Sequence, residues 1–302
     1  MTDEEGNFDA LELALPAVPL TVEGSGVLHQ IFRLRWREWK AAPAVERRDA
    51  VDEAVRVLAE MEGEGKQQTA LYSMIGHKGD LLLLHFRHNL EELNDAELRV
   101  TGTKLAHYLD CTASYLSVVE LSPYQSSIQL YKRILESGIQ PGSEEFESEV
   151  EQALAQHRNA MAPRLWPSIP PQRYLCFYPM DRKRGPGENW YQVPIAKRER
   201  MMREHGLVGR KYARQVKQIV TSSIGLDDWE WGVDLFADDP LAFKRLIYEM
   251  RFDEASAVYA VFGPFYVGIR FQARELGVFL DGRRPPYPAE SSRELPWITS
   301  PT

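Results

Sequence analysis

Residues 218–252 read QIVTSSIGLDDWEWGVDLFADDPLAFKRLIYEMRF, and this stretch decides the fold. QIVTSSIG and WEWGVDLFA have the composition of two strands, joined through LDD as a strand–turn–strand unit. Asp239 followed by Pro240 then starts a helix, because a carboxylate satisfies free N–H groups and proline suits the first turn. The helix LAFKRLIYEMRF follows, then the strand GPFYVGIRF at 263–271. The first half of the chain repeats this plan. VLHQIFRLRW (27–36) reads as a strand, and Pro43–Gly63 as a helix with Val45, Val51, Ala54, Val55 and Leu58 at helical spacing. ALYSMIG, the turn HKGD and LLLLHFR form a hairpin. Asn89 caps a helix through ELNDAELRVTGTKLAHYL, and ASYLSVVELS closes the half as a strand. Residues 73–93 even align without gaps on 222–242, SMIGHKGDLLLLHFRHNLEEL over SSIGLDDWEWGVDLFADDPLA. A βαββαβ order given twice implies an α+β chain of two ferredoxin-like units. Their antiparallel sheets pack face to face or close into a barrel-like core.

The expected organisation is a loose leader at 1–20, an N-terminal unit at 21–160, a C-terminal unit at 161–290 and a tail at 291–302. With 44% hydrophobic and 26% charged residues, the chain has the balance of a soluble globular protein. No window approaches the apolar length of a membrane span. The start, MTDEEGNFDALELALPAVPL, is acidic where a secretory signal is basic, so a cytoplasmic location is expected. A net charge of -8 argues against general nucleic-acid binding. Cys111 and Cys176 sit in apolar surroundings without CxxC spacing and read as buried thiols.

The chemistry concentrates between Tyr178 and Gln218. APRLWPSIPP (162–171) is too rich in proline for a regular helix or central strand. RYLCFYPM is strand-like and runs into DRKRGPGEN (181–189), an exposed loop. The helix IAKRERMMREHG follows, with Pro194 at its start and Gly206 at its expected end, which puts His205 at the helix C-terminus. By itself such a histidine fits a dipole partner, a surface residue or a ligand. None of the seven histidines forms an HxxxH or HExxH pair, and a lone ligand suits haem iron, whose porphyrin supplies four nitrogens. Tyr178, in an apolar strand, reads first as core packing. Trp229 and Trp231 alternate with Glu230 and read as core facing one side.

YPMDRKR, NWYQVP, MMREHGLVGR, QIVTSSIGLDDWEWGVDLFADDP and YEMRFDEAS resemble the coproheme decarboxylases of the chlorite dismutase-like superfamily. The resemblance is specific from about Arg164 to Phe271 and weaker before it. It implies a homopentamer with a porphyrin pocket in the C-terminal half. His205 in REHG matches the axial ligand of the iron, and Tyr178 in YPM the redox-active tyrosine. Pro179, Met180, Asp181 and Arg182 follow in the stretch that meets the porphyrin edge. Arg182 stands where a lysine is expected, so charge is kept but geometry is not. Arg164 and Ser256 match propionate contacts. Gln218 matches the distal glutamine, which lacks the charge that chlorite-degrading members supply with arginine. Glu254 is the expected partner of the second imidazole nitrogen of His205.

The resemblance further implies a substrate, iron coproporphyrin III (coproheme), and a product, haem b. Two propionates become vinyls with loss of CO2. Hydrogen peroxide is the oxidant and a Tyr178 radical takes hydrogen from the propionate. This is the last step of coproporphyrin-dependent haem biosynthesis, with a ferrochelatase as transient partner. The alternatives are a haem-handling protein or a chlorite dismutase-type peroxidase of the same fold.

Overall fold

The computed structural model describes residues 17–63, 68–121 and 124–287. Residues 1–16 of the expected leader and all of the expected tail lie outside the described residues. In chain order, the first elements are β1 (Val22–Leu34), α1 (Trp36–Ala41), α2 (Ala44–Met61), β2 (Gln68–Ile75), β3 (Leu81–Arg87) and α3 (Leu90–Thr101). Next come β4 (Leu109–Leu121), α4 (Tyr124–Glu136), α5 (Glu144–Leu165), β5 (Tyr174–Arg182) and α6 (Ile195–Lys211). The last are β6 (Lys217–Ser222), β7 (Trp231–Ala237), α7 (Leu241–Met250), α8 (Glu254–Tyr259), β8 (Ala260–Phe262), β9 (Tyr266–Phe271) and α9 (Leu276–Leu280).

Two compact units result, each drawn from several stretches: one from 27–115, 168–176 and 266 onward, the other from the residues up to 26, 116–167 and 177–265. The chain returns to each of them. In the first unit the strand neighbours run β4-β1-β3-β2-β9-β5. The β2–β3 hairpin is antiparallel, with Thr69 opposite His85 and Leu71 opposite Leu83. On the other edge of β2, Leu71 meets Phe271 of β9. All of β3 is buried, which explains why LLLLHFR lacks polar alternation. α2 turns Ala50, Ala54, Leu58 and Met61 inward at helical spacing, against Leu71, Leu81, Leu83 and Phe271. Each such leucine stabilises the fold by about 1.5–3 kcal/mol. His85 sits within this unit fully buried, its Nδ1 2.9 Å from Thr69 Oγ1 and its Nε2 3.2 Å from Gln30 Oε1. Burial, with the Arg87 charge beside it, pushes its pKa down to about 3.

In the second unit β7-β6-β4 are neighbours and β5 pairs with β8. β6 and β7 are antiparallel, Gln218 opposite Leu235 and Ser222 opposite Trp231. Asp239 Oδ1 accepts from Leu241 N at 2.9 Å to start α7, as its sequence position implies. The internal repeat is visible in backbone detail. Gly76 and Gly225 occupy matching places in the two aligned stretches, and both have positive φ, 103° and 83°, conformations that suit glycine. α4 and α5 pack Leu130, Tyr131 and Ile134 against Phe146 and Val150, with Ile195 of α6 completing the cluster.

Several expectations need correction. The sequence reading assigned no helix to 124–161, where α4 and α5 lie. α5 also includes Pro163, despite the proline richness of 162–171. That proline falls in the final turn, where Trp166 N still reaches Ala162 O at 2.9 Å. α3 stops at Thr101, and a 3-10 turn, Lys104–Tyr108, leads into β4. Cys176 is buried as expected, but Cys111 is exposed, within a run of exposed residues at the start of β4. Trp229 precedes β7 rather than belonging to it.

Candidate active site

α6 buries Ile195, Arg198 and Met201 along one stripe and carries His205 in its second half. It does not end at Gly206. The helix continues to Lys211, so His205 has a full further turn after it and a dipole-partner role loses its basis. The His205 side chain is 22% exposed and that of its partner Asp253 6%, with Nδ1 3.0 Å from Asp253 Oδ2. Asp253 is the N-cap of α8: Oδ1 accepts from Ser256 N at 2.9 Å, and Oδ2 from Ser256 Oγ at 3.2 Å. Ser256 Oγ is also 3.3 Å from His205 Nδ1.

Burial pushes the Asp253 carboxyl up, but the hydrogen bond and charge of His205, together with the Ser256 hydrogen bonds, outweigh it and hold the pKa below the usual value. An ionised carboxylate only accepts. It therefore fixes the proton of a neutral His205 on Nδ1 and leaves the Nε2 lone pair for a ligand. The partner is Asp253 and not Glu254, whose Oε1 faces Lys197 Nζ at 3.4 Å. The signal missed in FDEAS is the cap itself. An aspartate three residues before a serine at a helix start turns its carboxylate back over the first turn, while the next residue points outward.

Tyr178, Met180 and Arg182 alternate along β5 and so share one face. Tyr178 is buried, its ring centroid 4.6 Å from that of Phe265 and 5.7 Å from that of Phe262. Arg182 is buried too: Nη1 donates to Ala255 O at 2.7 Å, Nη2 reaches Met202 Sδ at 3.4 Å, and the guanidinium lies 4.6 Å from the Trp190 ring centroid. It therefore touches the residue preceding Ser256 and the residue three before His205, tying the tyrosine strand to the histidine helix. Pro179 and Asp181 turn to other contacts. Pro179 O accepts from Gly263 N at 2.9 Å, and Asp181 Oδ1 from Glu230 N at 2.8 Å. A Cβ at Gly263 would stand 2.9 Å from Pro179 and 3.0 Å from Trp229, so only glycine allows this approach. Glu230, buried, accepts from Arg182 N at 2.9 Å and lies 3.6 Å from Arg184 Nε.

Gln218 is exposed on β6, on the α6 side: its Oε1 is 3.9 Å from where a Cβ on Gly209 would be, one helical turn beyond His205. The structure does not bring Arg164 into this group. It is exposed in the last turn of α5, with its contact to Met161 Sδ at 4.0 Å. Ser256 joins His205 and Asp253 rather than an exposed rim. The 181–189 loop is closed by a bridge between Arg184 and Asn189 and by Lys183 Nζ on Glu188 Oε2 at 2.6 Å. With Val261 it encloses a cleft of about 540 Å³, lined by Asp181, Arg182, Lys183, Arg184 and Glu188. Among the described residues, no cluster of three or more His, Cys, Asp or Glu could hold a metal ion. The donor set is one imidazole.

The family described as Chlorite dismutase matches residues 47–271. A Thermus thermophilus protein named coproheme decarboxylase is 40% identical over 273 residues, which cover 89% of this chain and 99% of that protein. Relatives from Halobacterium salinarum and Haloquadratum walsbyi are 41% and 40% identical, but this chain spans about half their length, 52% and 48%. A solved haem-binding protein from Thermus thermophilus matches with a TM-score of 0.73 at 39% identity, over 88% of this chain and 99% of that one. The chlorite dismutase of Candidatus Nitrospira defluvii matches with a TM-score of 0.63 at 17% identity, over 86% of this chain and 95% of that one, a likeness of fold alone.

Proposed function

The chain belongs to the chlorite dismutase family, and from that membership and the site we propose that it is a coproheme decarboxylase, converting iron coproporphyrin III to haem b. The observation that carries this reading is the His205–Asp253 pair, which engages Nδ1 and leaves the Nε2 lone pair of His205 for a ligand. That donor suits an iron already held by four porphyrin nitrogens. The 40% identity to the Thermus decarboxylase over nearly all of that protein supports the same substrate.

The bound iron porphyrin supplies redox chemistry toward peroxide. Each propionate, with one hydrogen peroxide and one proton, yields a vinyl, CO2 and two waters. Tyr178 serves as one-electron carrier: its phenol gives up an electron and a proton, then regains a hydrogen atom from the propionate carbon next to the ring. A second electron leaves as the C–C bond to the carboxylate breaks. Phe262 and Phe265 pack against the tyrosine at tilted angles and hold its ring in place. Asp253, steadied by Ser256, keeps His205 in the ligating tautomer. The cations around the 181–189 cleft, Arg182, Lys183 and Arg184, suit the anionic propionate rim. Gln218 offers an uncharged amide, which does not suit an oxyanion such as chlorite.

A haem-handling protein would share His205 without needing Tyr178. Turnover in Tyr178→Phe decides between the two: binding with lost decarboxylation supports the enzyme, and undiminished decarboxylation refutes the radical role. The same reading takes the protein as a cytoplasmic homopentamer that receives coproheme from a ferrochelatase. Sedimentation at several concentrations tests the pentamer.

A further inference from the structure

Building on the reading of coproheme as substrate, we propose that Arg184 takes a substrate carboxylate in the 181–189 cleft and that the buried Glu230 is the positioning residue that presents it. Arg182, Lys183 and Arg184 all line the cleft, but they are not equivalent. The Arg182 guanidinium donates to Ala255 O at 2.7 Å, reaches Met202 Sδ at 3.4 Å and covers the Trp190 ring. The Lys183 ammonium sits on Glu188 Oε2 at 2.6 Å. Arg184 is held differently. Its Nε lies 3.6 Å from Glu230 Oε1, and its side chain is 62% exposed. Among the described residues its guanidinium makes no other ion pair or hydrogen bond. A guanidinium held at Nε still presents its two Nη groups as a fork, the geometry that pairs a carboxylate bidentately.

Glu230 suits that task because its backbone and side chain are both fixed. It is buried and is not among the residues that line the cleft. Its backbone N–H donates to Asp181 Oδ1 at 2.8 Å, and its carbonyl accepts from Ser223 N at 2.8 Å. Its Oε2 accepts from Arg182 N at 2.9 Å. The Asp181 and Glu230 side chains therefore each hold the backbone of the other's strand. This clasp joins the end of β5 to the residue before β7 and leaves Oε1 for Arg184. A buried carboxylate is costly unless it is hydrogen-bonded and paired. The Arg182 N–H and the Arg184 guanidinium supply those partners. Past Arg184 the chain turns over Gly185, Pro186 and Gly187, and it returns through the bridge to Asn189 and Trp190 N on Lys183 O at 2.9 Å. Arg184 thus stands where a clasped strand passes into a turn, with a fixed stem and an exposed tip. Without the Glu230 charge its side chain would regain rotamer freedom, and ordering it again on binding costs affinity.

Glu230→Gln separates the two contacts of the carboxylate. Its amide oxygen can still accept from Arg182 N, whereas its NH2 cannot pair with Arg184. Soret titration of the full chain with coproheme should show roughly three- to tenfold weaker binding in Glu230→Gln and in Arg184→Ala. The double variant should be no weaker than Arg184→Ala alone, because Glu230 acts through Arg184. A merely structural Glu230 would weaken binding by the same factor in both backgrounds, and that result would overturn the positioning role. Arg184→Lys should recover part of the loss, since it keeps the charge without the fork. The Arg184 side chain is exposed, so its variants keep the test decisive even where Glu230→Gln does not fold. Wild-type affinity in Arg184→Ala would overturn the carboxylate contact and leave coproheme as the substrate. A wild-type chain that binds no coproheme would overturn both.

Discussion

Asp253→Asn isolates what the carboxylate does for His205. Asparagine caps helices as well as aspartate, so α8 keeps its start. Its amide oxygen can still accept from Ser256 N, which now gets 2.9 Å from Oδ1. The NH2 then takes the place of Oδ2, 3.0 Å from His205 Nδ1. An amide N–H donates, so the imidazole must present its lone pair at Nδ1 and its proton moves to Nε2. The ligating nitrogen is blocked unless the ring flips or loses this bond. A hydrogen bond to a charged group contributes about 1.5–3 kcal/mol. Loss of such an outer partner typically costs 10–100-fold in affinity or activity. Coproheme affinity, from Soret titration, should therefore fall about 10–100-fold, while thermal unfolding changes by no more than that bond. In the apo protein, imidazole nitrogen chemical shifts should move from the Nδ1–H to the Nε2–H tautomer. Unchanged affinity together with an unchanged tautomer would refute the reasoning.

Further outcomes follow from the same geometry. His205→Ala should remove the axial-ligand signature from the spectrum of bound coproheme; an identical spectrum would reassign the ligand. Arg182→Met should lower stability by about 1.5–3 kcal/mol through its charged bond to Ala255 O, and it should shift the Fe–His vibration of the reduced complex, which Arg182→Lys should partly restore. The depressed Asp253 pKa contributes stability present above about pH 3.9 and lost as pH falls through its folded value. Acid unfolding of Asp253→Asn should be correspondingly shallower below pH 4. His85, with its pKa near 3, is neutral in the folded protein and takes up a proton on unfolding below about pH 6.5. The stability lost to it between pH 6.5 and 5 is about 2 kcal/mol, and His85→Gln should remove that slope in chemical denaturation.

The fold was legible where pattern and punctuation agree. Both hairpins carry strand composition around turns with Gly76 and Gly225, and Asn89 and Asp239 cap the helices their positions announce. α4 and α5 escaped because the proline cluster at 162–171 dominates that region, while the helix absorbs Pro163 in its last turn. The end of α6 was misread because Gly206 is a helix breaker by propensity only, a weak preference that packing overrides. At the candidate site, His205 and Tyr178 were singled out from the motifs that contain them. Their partners were not, because Asp253 lies 48 positions from His205 and Arg182 reaches Ala255 across 73. Contacts of that span belong to the fold and leave no local pattern. The expectation fell on Glu254, one residue from the acceptor the structure shows.

The most direct test of the central claim is chromatography of the porphyrins after stepwise addition of hydrogen peroxide to the coproheme complex. The expected result is conversion to haem b with two propionates lost as CO2, complete near two peroxides per porphyrin. Recovery of a porphyrin that keeps all four propionates, from a complex shown to bind it, would contradict it.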